Sequence, residues 1–302
     1  MLAYDCFEVM EVLINDTSKI TNLTKKAIEY YIEQELVFPT ILENGYRDFC
    51  ADDIDRLKKI SVFRKLGLSI EEIKAVFADE TGDILQKLSV QRELSIQIEL
   101  AKKVILDKLS CGKNFAEISA DLKVIEQGAT VTEKLLDAFP GYYGRFICLH
   151  FARFLNEPII TVDQQSAYRE IIEFLDNAPS ISFSEDLHAF LIECTKHIDT
   201  KNIKEMIERT KQSIENPKNF LSENKDFLEQ YMKFKQSDEY KNSPVFKIQT
   251  LLKEFNKTSG YYDIFIPAMK KLSVSYADYY KQMEFANEKL LDQYPGIAKL
   301  NG

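Results

Sequence analysis

The chain has 302 residues and a formal net charge of −9 at pH 7, from 39 basic and 48 acidic side chains. Hydrophobic residues make up 45% and charged residues 29% of the sequence, which excludes a disordered or fibrous chain. Ten Gly and eight Pro are few for this length, so long helices are favoured over a many-stranded sheet. We expect a mostly α protein of two domains, with room in the chain for a connector between them.

Signals for export, membrane insertion and disulfide formation are weak. The first ten residues carry Asp5 and Glu8 and no basic residue, unlike a signal peptide. The most apolar long stretch, residues 139–160, is interrupted by two arginines and a histidine, which argues against a membrane span. The five cysteines include no C-x-x-C pair. These features predict a cytoplasmic protein without membrane contact.

Residues 14–36 have the spacing of two short helices joined by a tight turn. Asn15 or Asp16 can cap the first helix, Asn22 lies at the turn, and Thr24 can cap the second helix. The second helix has an apolar stripe and a polar side. The stripe consists of Ile28, Tyr31, Ile32 and Leu36, and the polar side carries Lys25, Lys26 and Glu29.

A hairpin and two further helices follow. Pro39 stops the second helix, and Asn44-Gly45 is typical of a hairpin tip, which would form a wing. Asp52 or Asp53 can begin a third helix that ends near Gly67. A fourth helix follows, with Ser69 and Glu72 spaced as a capping box. This segment carries as many acidic as basic residues between Thr17 and Lys74, ten of each, so its net charge alone does not indicate nucleic-acid binding.

Residues 83–110 contain neither Gly nor Pro and predict one long helix. Apolar residues recur on it in steps of four, three and four, which is the seam of a coiled coil. The seam residues are Leu94, Ile98, Ala101 and Ile105. The pattern covers about two heptads, so periodicity alone does not distinguish a coiled coil between chains from a helix packed within one chain.

From residue 114 to the end, amphipathic helices alternate with Pro and Gly breaks, and most of the aromatic residues of the chain lie here. This pattern predicts an all-helical, aromatic-rich and mildly acidic domain.

Four segments of the N-terminal part together resemble the DNA-binding domain of the MerR family. They are Ala27-Ile28-Glu29-Tyr30-Tyr31, Leu36 with Pro39, Asn44-Gly45-Tyr46-Arg47-Asp48-Phe49, and Leu66-Gly67-Leu68-Ser69-Ile70-Glu71-Glu72-Ile73. Their order and spacing are specific in combination. The resemblance implies a winged helix-turn-helix DNA-binding domain over 10–82, a dimerisation helix over 83–111 that pairs antiparallel with its copy, and a helical effector domain over 112–302.

The resemblance also implies roles for single residues. Thr24, Lys25 and Lys26 would approach the major groove, and Tyr30, Tyr46 and Arg47 would hold the phosphate backbone. The alternative interpretation is that both tyrosines are packing residues and that Arg47 forms a surface ion pair.

Three positions differ from the family pattern. Glu29 stands where arginine is common, Glu35 where glycine is usual, and Ile41 where the wing often begins with arginine. Fewer phosphate contacts and an added acid predict weak binding to arbitrary DNA. Glu29 can accept a hydrogen bond from a cytosine amino group or pair with Lys25 one turn earlier.

Members of this family typically bind a pseudo-palindromic operator as homodimers and distort the promoter so that RNA polymerase can engage it. By the same resemblance, an effector would control the distortion. Tyrosines near acidic residues suggest a small apolar or cationic organic effector, and the alternative interpretation is that they are ordinary core residues at helical spacing. They are Tyr142, Tyr143, Tyr261, Tyr262, Tyr276, Tyr279 and Tyr280.

Other functions have less support in the sequence. His188, Glu193, Cys194 and His197 could supply metal ligands, but ordinary placement of these residues is the preferred interpretation, and we expect no metal or cofactor. We find no catalytic motif and predict that the chain is not an enzyme. The alternative function is a protein-interaction module whose MerR-like head no longer binds DNA.

Overall fold

A computed structural model describes residues 11–139 and 141–297 of the chain. It confirms the predicted mostly α architecture. The described chain divides into two compact units, the first ending at Ile84 and the second beginning at Leu85. Asp5 and Glu8, on which the expected absence of a signal peptide rested, lie outside the described residues.

The first unit contains four helices and a two-stranded antiparallel hairpin. Its elements are α1 (Ile14–Thr21), α2 (Lys25–Glu33), β1 (Thr40–Ile41), β2 (Arg47–Asp48), α3 (Ala51–Lys65) and α4 (Ile70–Ala78). In the hairpin Thr40 lies opposite Asp48 and Ile41 opposite Arg47. The fully buried apolar residues of this unit are Ile28, Leu36, Leu57, Ile60 and Ile73.

Local hydrogen bonds confirm two of the predicted helix starts. The Thr24 hydroxyl accepts a hydrogen bond from the Ala27 backbone N–H at 3.2 Å, so Thr24 caps α2. Ser69 and Glu72 exchange side-chain and backbone hydrogen bonds at the start of α4, as the predicted capping box requires. Both caps join residues three positions apart, which is why the sequence reveals them.

Three other predicted helix limits were wrong. α1 begins at Ile14 after Leu13, which makes no side-chain capping bond, so neither Asn15 nor Asp16 is the cap. α3 begins at Ala51 after Cys50, so neither Asp52 nor Asp53 begins this helix. The Asp53 carboxylate instead accepts a hydrogen bond from the Cys50 backbone N–H at 3.1 Å. α2 ends at Glu33, before Leu36, because Glu35 takes the left-handed conformation and turns the chain.

The second unit is a bundle of helices around one apolar core. Its helices are α5 (Asp83–Ser110), α6 (Phe115–Ala138), α7 (Gly141–Ala152), α8 (Val162–Asp176), α9 (Glu185–Thr195), α10 (Thr200–Glu215), α11 (Pro217–Glu223), α12 (Lys225–Gln236), α13 (Asp238–Lys241), α14 (Pro244–Thr258), a π-helical turn (Tyr261–Phe265), α15 (Ile266–Leu272) and α16 (Val274–Gln293). The core contains residues from α5, α6, α7, α8, α10 and α15. A smaller cluster forms around Leu221, Leu228 and Tyr294.

The start of α16 is fixed by one carboxylate from the segment after α7. Glu157 accepts hydrogen bonds from the backbone N–H groups of Val274 at 2.8 Å and Ser275 at 3.0 Å. It also accepts from the hydroxyls of Ser273 and Ser275. A carboxylate at a helix N-terminus satisfies N–H groups that have no partner within the helix. Glu157 therefore ties together segments more than a hundred residues apart in the chain.

Candidate nucleic-acid interface

The turn between α1 and α2 positions the first residues of α2 at the surface. Asn22 ends α1 with a φ of 55°, a left-handed conformation that asparagine tolerates. The Ser18 hydroxyl donates to the Leu23 backbone carbonyl at 2.6 Å and fixes the turn. As a result Thr24, Lys25 and Lys26 are all exposed at the N-terminus of α2.

The exposed side of α2 combines two cations with one anion. Ile28 and Tyr31 are buried and hold the helix on the core, whereas Glu29 and Tyr30 lie on the exposed side. The N-terminus of a helix carries partial positive charge and suits a phosphate. Among the described residues no ion pair joins Lys25 to Glu29, so the predicted pairing within α2 is not formed.

The wing is a tight hairpin with its tip in solvent. The Leu42 backbone N–H donates to the Tyr46 carbonyl at 2.8 Å, and the Asn44 side-chain oxygen accepts from the Tyr46 N–H at 3.0 Å. Gly45 has a φ of 81°, which favours glycine at this position. Tyr46 is 61% exposed, and Arg47 is exposed beside it.

Backbone pairing anchors the base of the wing. The Asp48 carboxylate accepts a hydrogen bond from the Val12 N–H at 2.7 Å, and the Phe49 N–H donates to the Val12 carbonyl at 3.0 Å. Phe49 is buried at the end of the hairpin. The side chains of Tyr46 and Arg47 therefore project from a short hairpin with a fixed base.

One arginine that sequence reasoning missed supports the end of α2. The Arg56 Nε donates to the Leu36 carbonyl at 2.5 Å, and its guanidinium carbon lies 4.0 Å from the centre of the Phe77 ring. Arg56 thus connects α3 to the segment after α2 and to α4. The partner Leu36 is twenty positions away, and no local motif marks such a contact.

The predicted seam on α5 has a mixed environment within its own chain. Leu94 and Ile105 are buried, and Leu94 belongs to the core of the second unit. Ile98 and Ala101, which lie between them, are half-buried. A second apolar stripe lies on the opposite side of α5, where Ile96, Leu100 and Val104 are each more than half exposed, at 58%, 59% and 54%.

The tyrosines expected to bind an effector gather around the core of the second unit. Tyr276 is buried within this core, and Tyr262 is exposed. The other five tyrosines are partly buried and pack against the core, namely Tyr142, Tyr143, Tyr261, Tyr279 and Tyr280. Burial raises the pKa of Tyr261 and Tyr276 well above the usual value, so both hydroxyls stay neutral.

Three of these rings already face cations of the same chain. The Lys270 ammonium lies 3.3 Å from the centre of the Tyr280 ring. The guanidinium carbons of Arg153 and Arg145 lie 4.9 Å and 5.8 Å from the ring centres of Tyr279 and Tyr142. Internal cation–π contacts therefore occupy ring faces that an aromatic cage would offer to a cationic ligand.

No group of three or more His, Cys, Asp and Glu side chains is placed in the described part of the chain to hold a metal ion, so the residues between His188 and His197 do not assemble into such a site. None of the described helices is long and apolar enough to cross a lipid bilayer.

The hairpin and the paired helices α1 and α2 make the first unit a winged helix-turn-helix. Residues 13–80 match the family model for MerR HTH family regulatory proteins. The chain is 38% identical over 66 residues to the HTH-type transcriptional regulator CueR of Yersinia pestis, a match that covers 22% of this chain and 48% of that protein. It is 42% identical over 60 residues to CueR of Escherichia coli O6:H1, covering 20% of this chain and 44% of that protein.

The HTH-type transcriptional regulator HmrR of Rhizobium leguminosarum bv. viciae is 37% identical over 65 residues, covering 22% of this chain and 50% of that protein. The matched part of the chain spans about half the length of these curated relatives. No solved structure matches the chain significantly. The N-terminal segment is therefore a MerR-type helix-turn-helix domain, the DNA-binding domain of transcriptional regulators.

Proposed function

We propose that this protein is a cytoplasmic transcription regulator that binds a pseudo-palindromic promoter operator as a homodimer. The observation that best supports this proposal is that Lys25, Lys26, Tyr46 and Arg47 are all exposed on one MerR-type domain. Among the described residues none of the three cations takes part in an ion pair, so their charges are available for DNA phosphates.

The two exposed elements supply different kinds of contact. Thr24, Lys25 and Lys26 at the start of α2 enter the major groove, where side chains read base edges. Tyr30, Tyr46 and Arg47 hold the phosphate backbone on either side and fix the register of the protein on the duplex. Because Glu29 is exposed beside the lysines and makes no ion pair with Lys25, it is free to accept a hydrogen bond from a cytosine amino group.

Dimerisation uses α5, as the sequence predicts, but through a stripe other than the predicted seam of Leu94, Ile98, Ala101 and Ile105. The exposed stripe of Ile96, Leu100 and Val104 offers the apolar surface for the partner, because Leu94 and Ile105 are already buried in their own chain. Residues at steps of four lie on one side of a helix and can pack along the partner's α5.

Operator distortion is the proposed route to RNA polymerase. A dimer that bends and untwists its site spends binding free energy on deforming the DNA, at a cost that depends on the sequence. The second unit would bind an effector and change this distortion, since an effector acts only through its different affinities for two conformations. The sequence suggests a small apolar or cationic organic effector.

The test is footprinting of the full-length protein on its own promoter, with Arg47→Ala compared to the parent. Loss of one phosphate contact should weaken binding to every operator similarly and reduce the salt dependence by about one counterion. The matched control is Arg209→Ala, which removes the same charge from the exposed side of α10. Equal affinity and salt dependence for all three proteins would contradict the proposed role of Arg47.

Absence of any footprint would favour the alternative function, a protein-interaction module with a MerR-like head. This alternative is supported by the charge of the segment from Thr17 to Lys74, which carries as many acidic as basic residues and therefore has no net positive charge to attract DNA. DNA binding that depends on Arg47 would exclude it.

A further inference from the structure

Helix α5 is held to the rest of the second unit at both of its ends. Near its start, Lys87 pairs with Asp137 at 2.6 Å, and the Gln86 side chain donates to the Lys196 carbonyl at 3.1 Å. Further along, Glu93 pairs with Lys204 of α10 at 2.5 Å.

Near its end, Lys108 pairs with Asp121 of α6 at 2.7 Å. No comparable polar contact to another helix appears between Leu94 and Ile105 among the described residues.

The middle of α5 borders a cavity of about 190 Å³ that is open to solvent on one side. Leu94, Ile98 and Ala101 line it from α5, and Gly128 and Ala129 line it from α6. The Ala129 side chain is too short to fill this space. Gly128 has a different role, because a Cβ at this position would lie 2.6 Å from the Leu155 carbonyl oxygen, so glycine here lets the Leu155 backbone approach α6.

The cavity explains the uneven burial along α5. In a continuously packed seam, Ile98 and Ala101 would be buried as deeply as Leu94 and Ile105. Both are instead half-buried, and both line the cavity. The helix is therefore fixed at its ends and incompletely packed at its centre, where an added molecule would gain apolar contacts that the chain itself does not supply.

The lining selects for an uncharged ligand. It contains no Asp, Glu, Lys or Arg, and an ion moved into such surroundings would lose hydration without gaining a partner. The polar residues Gln97 and Asn156 lie at the exposed edge. The Thr132 hydroxyl already donates to the Ala129 carbonyl at 2.9 Å, so the inner wall does not demand a hydrogen bond from the ligand.

We propose that the space between α5 and α6 is the effector site of the protein. Its ligand is a neutral molecule with an apolar body of about one ring and a hydroxyl or carbonyl at the edge beside Gln97 and Asn156. An apolar protein cavity of about 150 Å³ is large enough for benzene, so this cavity accommodates a substituted ring. The proposal rests on the proposed effector-controlled function and moves the site away from the tyrosines.

The location also provides a route for the signal. Ile98 and Ala101 face the cavity, whereas Ile96 and Leu100 lie on the opposite side of the same helix, where the partner's α5 would pack. A ligand that shifts the centre of α5 therefore acts on the proposed dimer contact without passing through the tyrosine core.

The experiment uses the full-length protein with 4-methylphenol as the neutral probe and benzyltrimethylammonium as a cation of similar size. In an NMR spectrum of the protein with methyl-labelled alanines, 4-methylphenol should shift the methyl signals of Ala101, Ala129 and Ala152. These shifts should reach a plateau as the concentration of 4-methylphenol increases. The signal of the exposed Ala120 should stay in place. The cation should shift none of these signals.

Two matched substitutions on α6 locate the site. Ala129→Leu fills the cavity and should reduce 4-methylphenol affinity by at least tenfold, whereas Ala120→Leu, the same change on the exposed side of α6, should leave it unchanged. Tyr262→Ala should also leave it unchanged. Should Tyr262→Ala abolish binding, or should 4-methylphenol leave the methyls of the three lining alanines unshifted, the proposed site is wrong.

Failure of this site is distinguishable from failure of the proposed function. A protein that protects its operator in an Arg47-dependent manner but shows no alanine shifts overturns only the cavity proposal. Saturable alanine shifts in a protein that leaves its promoter unprotected support the cavity proposal and overturn the proposed operator function.

Discussion

Glu35 occupies a backbone conformation that L side chains rarely adopt. Its φ is 56°, in the left-handed region, immediately after the end of α2. The left-handed conformation costs a non-glycine residue about 1–2 kcal/mol. This position is also where the family pattern has glycine, so the departure noted in the sequence now has a physical consequence for stability.

We expect Glu35→Gly to stabilise the first unit by about 1 kcal/mol, because glycine adopts this φ without steric conflict. Native-state hydrogen exchange of the buried Leu57 and Ile60 amides in the full-length protein measures the change. Glu33→Gly, at the last residue of α2, is the control and should destabilise. Slower exchange in Glu33→Gly or faster exchange in Glu35→Gly would contradict the strain argument.

Glu157 is the second residue with a measurable energetic role. Burial alone pushes its pKa up, but hydrogen bonds from Ser275, Ser273 and the backbone of α16 outweigh burial and lower its pKa below the usual value. A carboxyl whose pKa is lowered by folding contributes stability above its unfolded pKa, and this contribution is lost as the pH falls through the folded pKa.

Glu157→Gln should therefore destabilise the second unit at pH 7, by about 1–3 kcal/mol for lost charge-assisted hydrogen bonds. The difference from the parent protein should shrink as the pH falls below the ordinary pKa of glutamate and on through the lower pKa of the native Glu157 carboxyl. Urea unfolding at several pH values measures the difference in the free energy of unfolding between the variant and the parent protein. Glu126→Gln, on the exposed side of α6, is the control. A difference that does not depend on pH would show that Glu157 acts through packing alone.

Local and distant contacts differ in how well the sequence predicts them at this scale. The caps at Thr24 and Ser69 follow from bonds that span three residues, and the φ at Gly45 follows from the Asn-Gly turn. The contacts of Arg56 and Glu157 join segments that are distant in the chain. Hydrophobic periodicity and capping patterns involve residues only a few positions apart, so they carry no information about such distant partners.

At the scale of elements, α5 shows what a periodic pattern leaves open. Its 28-residue length was predicted correctly from the absence of Gly and Pro. Apolar residues lie on two sides of the helix, however, with Leu94 and Ile105 buried and Ile96 and Leu100 exposed. A pattern in the sequence cannot distinguish a side that packs within its own chain from a side that awaits a partner.

We expect Ile96→Lys with Leu100→Lys to convert a dimer into a folded monomer, since both residues are exposed and neither supports the core of its own unit. Sedimentation equilibrium with circular dichroism measures mass and folding together. Ser95→Lys with Leu106→Lys is the control, because these two exposed residues share another side of α5, away from the stripe. A fully dimeric Ile96/Leu100 variant would exclude the stripe as the dimer contact.

At the scale of the whole molecule, charge constrains how the protein can find DNA. The chain carries a net charge of −9, and its first unit is balanced between Thr17 and Lys74. Non-specific DNA binding is mainly counterion release by cations, so it should be weak here. Specificity must then come from groove contacts and from the energy of DNA deformation.

An effector that controls deformation should change DNA shape more than DNA affinity. With a duplex operator labelled at both ends, we expect 4-methylphenol to change the energy transfer between the labels in the complex while the Kd changes less than tenfold. The Ala129→Leu protein, which fills the proposed site, serves as the control and should show no change. A large change in Kd at constant energy transfer would indicate control of binding rather than of bending.

The space between α5 and α6 has a further consequence, for the response of the protein to compression. Internal voids disappear when a protein unfolds, so the unfolded state occupies less volume and hydrostatic pressure favours it. The space of about 190 Å³ opens to solvent beside Gln97 and Asn156, so only the part of it that water leaves unfilled makes the second unit more sensitive to pressure than a fully packed bundle. Pressure and a bound molecule therefore act in opposite directions on the same volume, the first by eliminating it and the second by filling it.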